Sequence, residues 1–210
     1  MAQFFSLHPE QPQARLIRQA AEIIRGGGLV VFPTDSAYAL AGHTGDAAVL
    51  ERIRRIRGVD DRHHFTLLCR DLSEISTYAR VDNTQYRLLK ATTPGPYTFI
   101  LEGTRELPRR LLHPKRKTIG LRVPQHAVVS ALLTELDEPM LSSTLIMPGE
   151  DLPLTDADEI RERLEKLVDL VIEAGFCGPE ATSVIDLTGG APVLVRAGRG
   201  DLTPFGLEAE

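Results

Sequence analysis

Apolar residues at positions 16, 17, 20, 21, 23 and 24 recur at the spacing of one helical face, so segment 12–25 predicts an amphipathic helix. Gly26, Gly27 and Gly28 follow and end it, since glycine accepts the backbone conformations of a helix C-terminus. Leu29–Phe32 is a short continuous apolar run, the pattern of a buried strand, and Pro33-Thr34-Asp35-Ser36 stops it and opens a loop. Asp46 is placed to cap a helix over 46–57, because its carboxylate can accept from the first free amides. The same reading predicts helices over 71–78, 82–91, 127–136 and 156–168, and strands over 65–69, 97–102, 118–123, 168–173, 183–187 and 193–196. Six or seven strands interleaved with five or six helices describe an α/β domain, a sheet with helices against it.

Composition changes this picture little. A chain of 210 residues with 42% hydrophobic and 25% charged residues fits one soluble globular domain. No run of 18 apolar residues offers a membrane span, and the first residues lack the basic and apolar regions of a signal peptide. Cys69 and Cys177 sit in no zinc-ligand spacing, and a reducing cytoplasm is the expected setting.

Charge distribution changes it more. The net charge of −5 speaks against a polyanion partner, yet the basic residues are clustered. Five arginines fall between Arg52 and Arg62, and seven Lys or Arg against one acid, Glu106, fall between Arg105 and Arg122. Residues 150–180 carry ten acids and three bases. This asymmetry suits one cationic face on an acidic body.

Three candidate motifs fail on their geometry. Gly26-Gly27-Gly28 precedes a strand, whereas phosphate-binding glycine loops follow one and open a helix. Adjacent residues point apart in an extended chain, so His63-His64 makes a poor shared metal site, and no third ligand is spaced for it. Cys69 lies in an apolar strand and reads as core.

The remaining signal gathers where strands end, which is where α/β sheets bind ligands. Thr34 and Tyr38, Arg55 and Arg57, Arg122, and Ser142 with Thr144 supply hydroxyls and guanidiniums there. Guanidinium groups make paired contacts to phosphate oxygens, and hydroxyls serve the acceptors left over. Arg122 lies between Leu121 and Val123, so it points away from the core that those two enter. Ser142 and Thr144 share one strand face by the same alternation. A cationic pocket built from Arg55, Arg57, Lys115-Arg116-Lys117 and Arg122 therefore suits a triphosphate or a phosphodiester.

Seven segments in order, PTDSAYAL (33–40), RIR (55–57), TPGPYTFIL (93–101), TIGLRVP (118–124), LSSTLIMPG (141–149), TSVIDL (182–187) and VLVRAG (193–198), resemble the YrdC/YciO family over residues 12–205. The opening FFSLHPEQPQ and the block RIRGVDDRHHFTLLCRDLSE look like its YciO branch. The resemblance implies one domain over 12–205 with a short polar tail at 206–210, and a twisted mixed sheet bearing a deep, positively charged cavity. It implies formation of threonylcarbamoyl-AMP from L-threonine, bicarbonate and ATP with Mg²⁺, for tRNA modification, and binding of double-stranded RNA. Thr34 and Tyr38 would lie near threonine. Arg55 and Arg57 would take the K-x-R signature, and Arg122 and Arg196 would complete the cationic wall. Thr144-Leu145-Ile146 would take the S-x-N signature, with Ser142 just before it. Lys115, Arg116 and Lys117 would face RNA.

Two departures separate binding from chemistry. Arg55 replaces the lysine of K-x-R, and Ile146 replaces the asparagine of S-x-N. Losing one polar contact costs about 1–3 kcal/mol, roughly a tenfold to hundredfold effect. The alternative expectation is a non-catalytic, RNA-binding and translation-associated protein that keeps the cavity.

Overall fold

The computed structural model describes residues 1–209. Ten strands form one sheet: β1 (Gln3–Ser6), β2 (Val30–Phe32), β3 (Ala39–His43), β4 (Thr66–Leu68), β5 (Tyr97–Glu102), β6 (Thr118–Arg122), β7 (Met140–Thr144), β8 (Leu170–Glu173), β9 (Ser183–Asp186) and β10 (Val193–Arg196). Six α-helices accompany them: α1 (Ala14–Arg25), α2 (Ala47–Arg57), α3 (Leu72–Tyr78), α4 (Asn83–Thr92), α5 (Ala127–Leu136) and α6 (Ala157–Leu164). The strand order is β1-β8-β2-β3-β7-β4-β6-β5-β9-β10. Pairing is mixed: β4 runs parallel to β6 and β5 to β9, while β3, β7 and β4 alternate in direction.

The α/β class and the helices read from periodicity stand, and three strands are additional. β1 carries only two phenylalanines of apolar signal at the sheet edge. β3 is built from small residues, and β7 is half hydroxyl, a pattern that marks a strand end more than a strand. Since β1 pairs with β8 from Gln3 onward, the domain starts before the expected boundary at residue 12. Arg55-Ile56-Arg57 is the last turn of α2, not a strand-end loop. The helix expected over 156–168 stops at Leu164, which frees the chain to enter β8. In the polar segment expected at 206–210, Gly206 closes a 3-10 turn behind buried Phe205, and Glu210 lies outside the described residues.

Two apolar clusters cover the sheet. α1 and α5 bury Ile17, Ile24, Val128 and Leu132 against β2, β3, β7 and β8, and this cluster ends at Leu68 of β4. On the other side, α2 sets Val49, Leu50, Ile53 and Ile56 against Leu40, Leu67, Phe99, Leu121 and Leu141. Fully burying one such side chain contributes about 1.5–3 kcal/mol. Side chains of one parity along β4, β5, β6 and β9, namely Leu67, Phe99, Leu101, Ile119, Leu121 and Ile185, all enter this second core. Their neighbours of opposite parity, including Thr66, Thr98, Ile100, Gly120 and Val184, face away from it and line a cavity instead.

α2 fixes what projects over that cavity. Asp46 caps it, its Oδ1 accepting from Ala48 N at 2.7 Å and Val49 N at 3.4 Å. Gly58 ends it in the left-handed conformation, φ 63°, that a Cβ disfavours. Asp46→Ala should lower unfolding stability by about 1 kcal/mol, the usual loss of an N-cap. Urea denaturation measures this, and an unchanged midpoint would show that the cap is dispensable.

Candidate functional site

The cavity encloses about 450 Å³ and opens to solvent over β4, β5, β6 and β9. Its floor is small and hydroxylated. Thr98 Oγ1 and Thr182 Oγ1 lie 2.8 Å apart. A Cβ on Gly120 would meet Phe65 O and Thr98 Cγ2 at 3.0 Å, so glycine there keeps the floor low. Three arginines stand on the walls: Arg57 from the last turn of α2, Arg62 from the α2–β4 loop, and Arg196 from β10.

Arg57 is the best-held of the three. Its Nε donates to Ser143 Oγ at 3.1 Å, and its Nη1 donates to the Ile146 carbonyl. Desolvation, and then the charge of Arg196, push its pKa down to about 10, so it remains a cation at neutral pH. Ser143 Oγ also lies 3.3 Å from His63 Nε2. Burial first, then Arg57, His64 and Arg196, push the His63 pKa down to about 4 against the opposing charge of Asp60. A neutral His63 ring hydrogen-bonds the Ser143 hydroxyl while Arg57 donates to the same oxygen, which fixes that hydroxyl from both sides. Arg196 holds to the main chain, with Nε and Nη2 at 3.1 and 2.9 Å from Thr182 O.

A second polar cluster adjoins the cavity. Arg122 has the parity of Gly120, so it does face away from the core as alternation predicts, but it is not free. It is buried and ion-paired with Asp35, and its Nη2 lies 3.3 Å from Thr34 Oγ1. Asp35 Oδ2 also accepts from Gln125 N at 2.9 Å. Thr34 donates to Ala37 O at 2.7 Å, closing the loop after β2. Thr34 and Asp35 line a separate hollow of about 350 Å³ with His126, Cys177 and Arg199.

The residues expected at one site are thus divided. Arg57, Thr144 and Arg196 meet at the cavity. Thr34 lies at the neighbouring hollow, and Arg122 is committed to Asp35 beside it. Tyr38 is buried in the core, where desolvation raises its phenol pKa. Ser142 is buried outside the cavity lining, and Ser143 takes the position beside Arg57. Arg55 points from the solvent side of α2 and lines no part of the cavity. Lys115, Arg116 and Lys117 are exposed beyond it, with Arg116 ion-paired to Asp186 and Lys117 Nζ donating to Pro114 O at 2.7 Å. The single pocket expected from Arg55, Arg57, Lys115–Lys117 and Arg122 does not form, because helix rotation and ion pairing send these cations in different directions.

Sequence reading missed Thr66, Thr98, Thr182 and Ser143, and it set His63 and His64 aside as metal ligands without giving them another role. Alternation on the Gly120–Arg122 face carried a signal for Thr98, one strand away. Nothing in the local sequence places His63 against Ser143. Among the described residues no group of three His, Cys, Asp or Glu is arranged to hold a metal ion, and no helix is long and apolar enough to cross a membrane.

Comparison with known proteins accords with this architecture. The Sua5_yciO_yrdC family model, described as "Telomere recombination", matches residues 22–198. The "Uncharacterized protein YciO" of Escherichia coli K12 is 58% identical, covering 98% of this chain and all of that protein. The threonylcarbamoyl-AMP synthase of Pyrococcus abyssi is 29% identical, covering 87% of this chain and 54% of that protein. The crystal structure of E. coli YciO superposes with a TM-score of 0.95 at 57% identity, covering 98% of this chain and all of that one. P. abyssi Sua5 complexed with L-threonine gives 0.85 at 26% identity, covering 93% of this chain and 57% of that one.

His63 generates a pH prediction. Its pKa is near 4 in the folded chain and about 6.5 unfolded, so between these values only the unfolded state binds the proton. Stability is then full above about pH 6.5 and declines as pH falls towards 4. His63→Gln should flatten that decline in chemical denaturation series, and an unchanged slope would contradict the burial of a neutral ring.

Proposed function

The chain belongs to the Sua5/YciO/YrdC family, and from that premise we propose that its cavity binds ATP through the phosphates and adenylates the carbamate of L-threonine. The observation that carries this reading is Arg57, a desolvated guanidinium fixed by Ser143 and Ile146 over a floor of hydroxyls. Arg62 and Arg196 add charge around the same space. The hollow at Thr34 and Asp35 offers the neighbouring position for the amino acid.

Bicarbonate and the threonine amine first condense to a carbamate with loss of water. A carbamate oxygen then attacks the α-phosphorus of ATP, the bond to the bridging oxygen breaks, and pyrophosphate leaves. The nucleophile is already an anion, so no side chain has to remove its proton. The protein's contribution is position and charge: guanidiniums set in advance towards oxygens that gain charge in the transition state. Mg²⁺ would enter with the triphosphate as part of the substrate, since the site supplies no carboxylate cage. The product would serve tRNA modification in the cytoplasm, a reducing setting in keeping with the two free cysteines.

Ile146 supports a second reading. Its carbonyl engages Arg57, but its side chain brings no donor or acceptor to the separate hollow that it lines with Pro153, Glu180 and Arg196. A protein that keeps phosphate binding without adenylation, and associates with RNA through Lys115, Lys117 and nearby arginines, would tolerate that change. Duplex RNA is bound through its phosphates and 2′-hydroxyls, which exposed cations can contact.

Pyrophosphate release from ATP that requires both threonine and bicarbonate tests the first reading. Arg57→Ala should reduce it by about 100-fold, the scale of one preorganised charge contact. Ile146→Asn should raise it by about tenfold, the value of one restored polar contact. Release no greater than in Arg57→Ala, with ATP still bound, would overturn adenylation in favour of binding alone.

A further inference from the structure

At the far edge of β5 and β6 lies a second hollow of about 570 Å³, larger than the cavity itself. Arg80, Arg105, Arg109 and Lys117 surround it, and Leu107 and Leu112 form its apolar part. Its frame is stitched by main-chain bonds between segments distant in sequence. Arg80 N donates to Glu102 O at 2.8 Å, Thr104 N to Tyr78 O at 2.9 Å, and Gly103 N to Lys117 O at 3.1 Å. Thr104 Oγ1 adds a bond to Thr77 O at 2.8 Å.

Charge is what sets this hollow apart. Arg80 has a carboxylate partner, Glu102 Oε1 at 3.2 Å, while Arg105 and Arg109 have none among the described residues. Other cations in the same stretch are already engaged: Arg116 with Asp186, Arg110 with the Gly45 carbonyl, and Arg122 with Asp35. Lys117 sits in the left-handed region at φ 57°, which a lysine adopts at a cost, and its Nζ, with donors to spare, gives one hydrogen bond to Pro114 O at 2.7 Å. On a chain of net charge −5, Arg105, Arg109 and Lys117 stand around one concavity with no carboxylate partner among the described residues, and an anionic ligand relieves their mutual opposition.

We propose that this hollow is a second anion site, taking a nucleotide-sized ligand whose two or more phosphates contact Arg105, Arg109 and Lys117 and whose less polar part rests on Leu107 and Leu112. A free nucleoside polyphosphate and a nucleotide unit of an RNA strand share that chemistry. The site is independent of Arg57 and of any chemistry in the cavity. It gives the basic stretch 105–117 a specific task in place of a diffuse charged surface.

Calorimetric titration of the full chain with inorganic tripolyphosphate, at about 150 mM salt to screen diffuse attraction, tests this directly. The unaltered protein should bind two equivalents. Arg105→Ala with Arg109→Ala should lose one of them, with affinity there falling by at least about tenfold, the effect of removing charge-assisted contacts. Arg57→Ala should lose the other. Thermal melting of the Arg105/Arg109 variant should be unchanged, since both side chains are exposed. One equivalent lost in the Arg105/Arg109 variant and kept in Arg57→Ala would support this site while removing the phosphate site in the cavity. One equivalent unaffected by the Arg105/Arg109 change would overturn the proposal. Displacement of tripolyphosphate from this site by ATP identifies a free nucleotide, and displacement by duplex RNA but not ATP identifies a strand. Displacement by neither would overturn the ligand class.

Discussion

Alternation along four adjacent strands, β4, β6, β5 and β9, is the constraint on which the rest of the molecule depends. One parity delivers Leu67, Phe99, Leu121 and Ile185 to the core beneath α2. The other delivers Thr66, Thr98, Gly120 and Val184 to the cavity. Because successive side chains leave opposite faces, the packing that stabilises the fold also aims the hydroxyl floor. A one-residue slip in register would exchange the two sets and lose both core and site. The cover of α1 and α5 extends only as far as Leu68, and the cavity begins where that cover ends.

Beside this floor the protein places one buried and one half-buried cation, and holds them in two different ways. Arg122 is neutralised by Asp35, a buried pair whose partners each lose heavily if the other is removed. That pair fastens the loop after β2 to the end of β6. Arg57 has no carboxylate, only the Ser143 hydroxyl and the Ile146 carbonyl. Such a cation is anchored by two hydrogen bonds but not compensated in charge, and it can gain from an arriving anion. The neutral state of His63 belongs to the same balance: burial disfavours its charged form first, and the positive charge of Arg57 adds to that. The first pair is structural in character, and the second arrangement is one that a ligand can complete.

Much of this was legible in the sequence. Periodicity marked all six α-helices, the Asp46 cap stood out as a lone carboxylate before an apolar repeat, and alternation turned Arg122 away from the core. The three additional strands were hard to see for physical reasons: β1 is a sheet edge, β3 uses alanine and glycine, and β7 is half hydroxyl. Site residues divided along the same line. Arg57 could be named because a cation near the end of an element carries a local signal, whereas Arg196 came only through the family resemblance. Tyr38 and Ser142 went to the interior, Arg55 went to the outside of α2, and Ser143 with His63 took the inner position. Those outcomes depend on which way one helix turns and where one strand stops, and no short window of sequence contains that information.

We propose that a preset, partly desolvated Arg57 makes this cavity a triphosphate site beside which an amino acid binds. Calorimetric titration of ATP, with and without L-threonine, on the unaltered chain and on Arg57→Ala tests it most directly. ATP should bind the unaltered chain, bind more tightly when threonine is present, and bind Arg57→Ala at least about tenfold more weakly, the loss of a charge-assisted contact. Equal ATP affinity in the two proteins, with no response to threonine, would show that Arg57 makes no triphosphate site here.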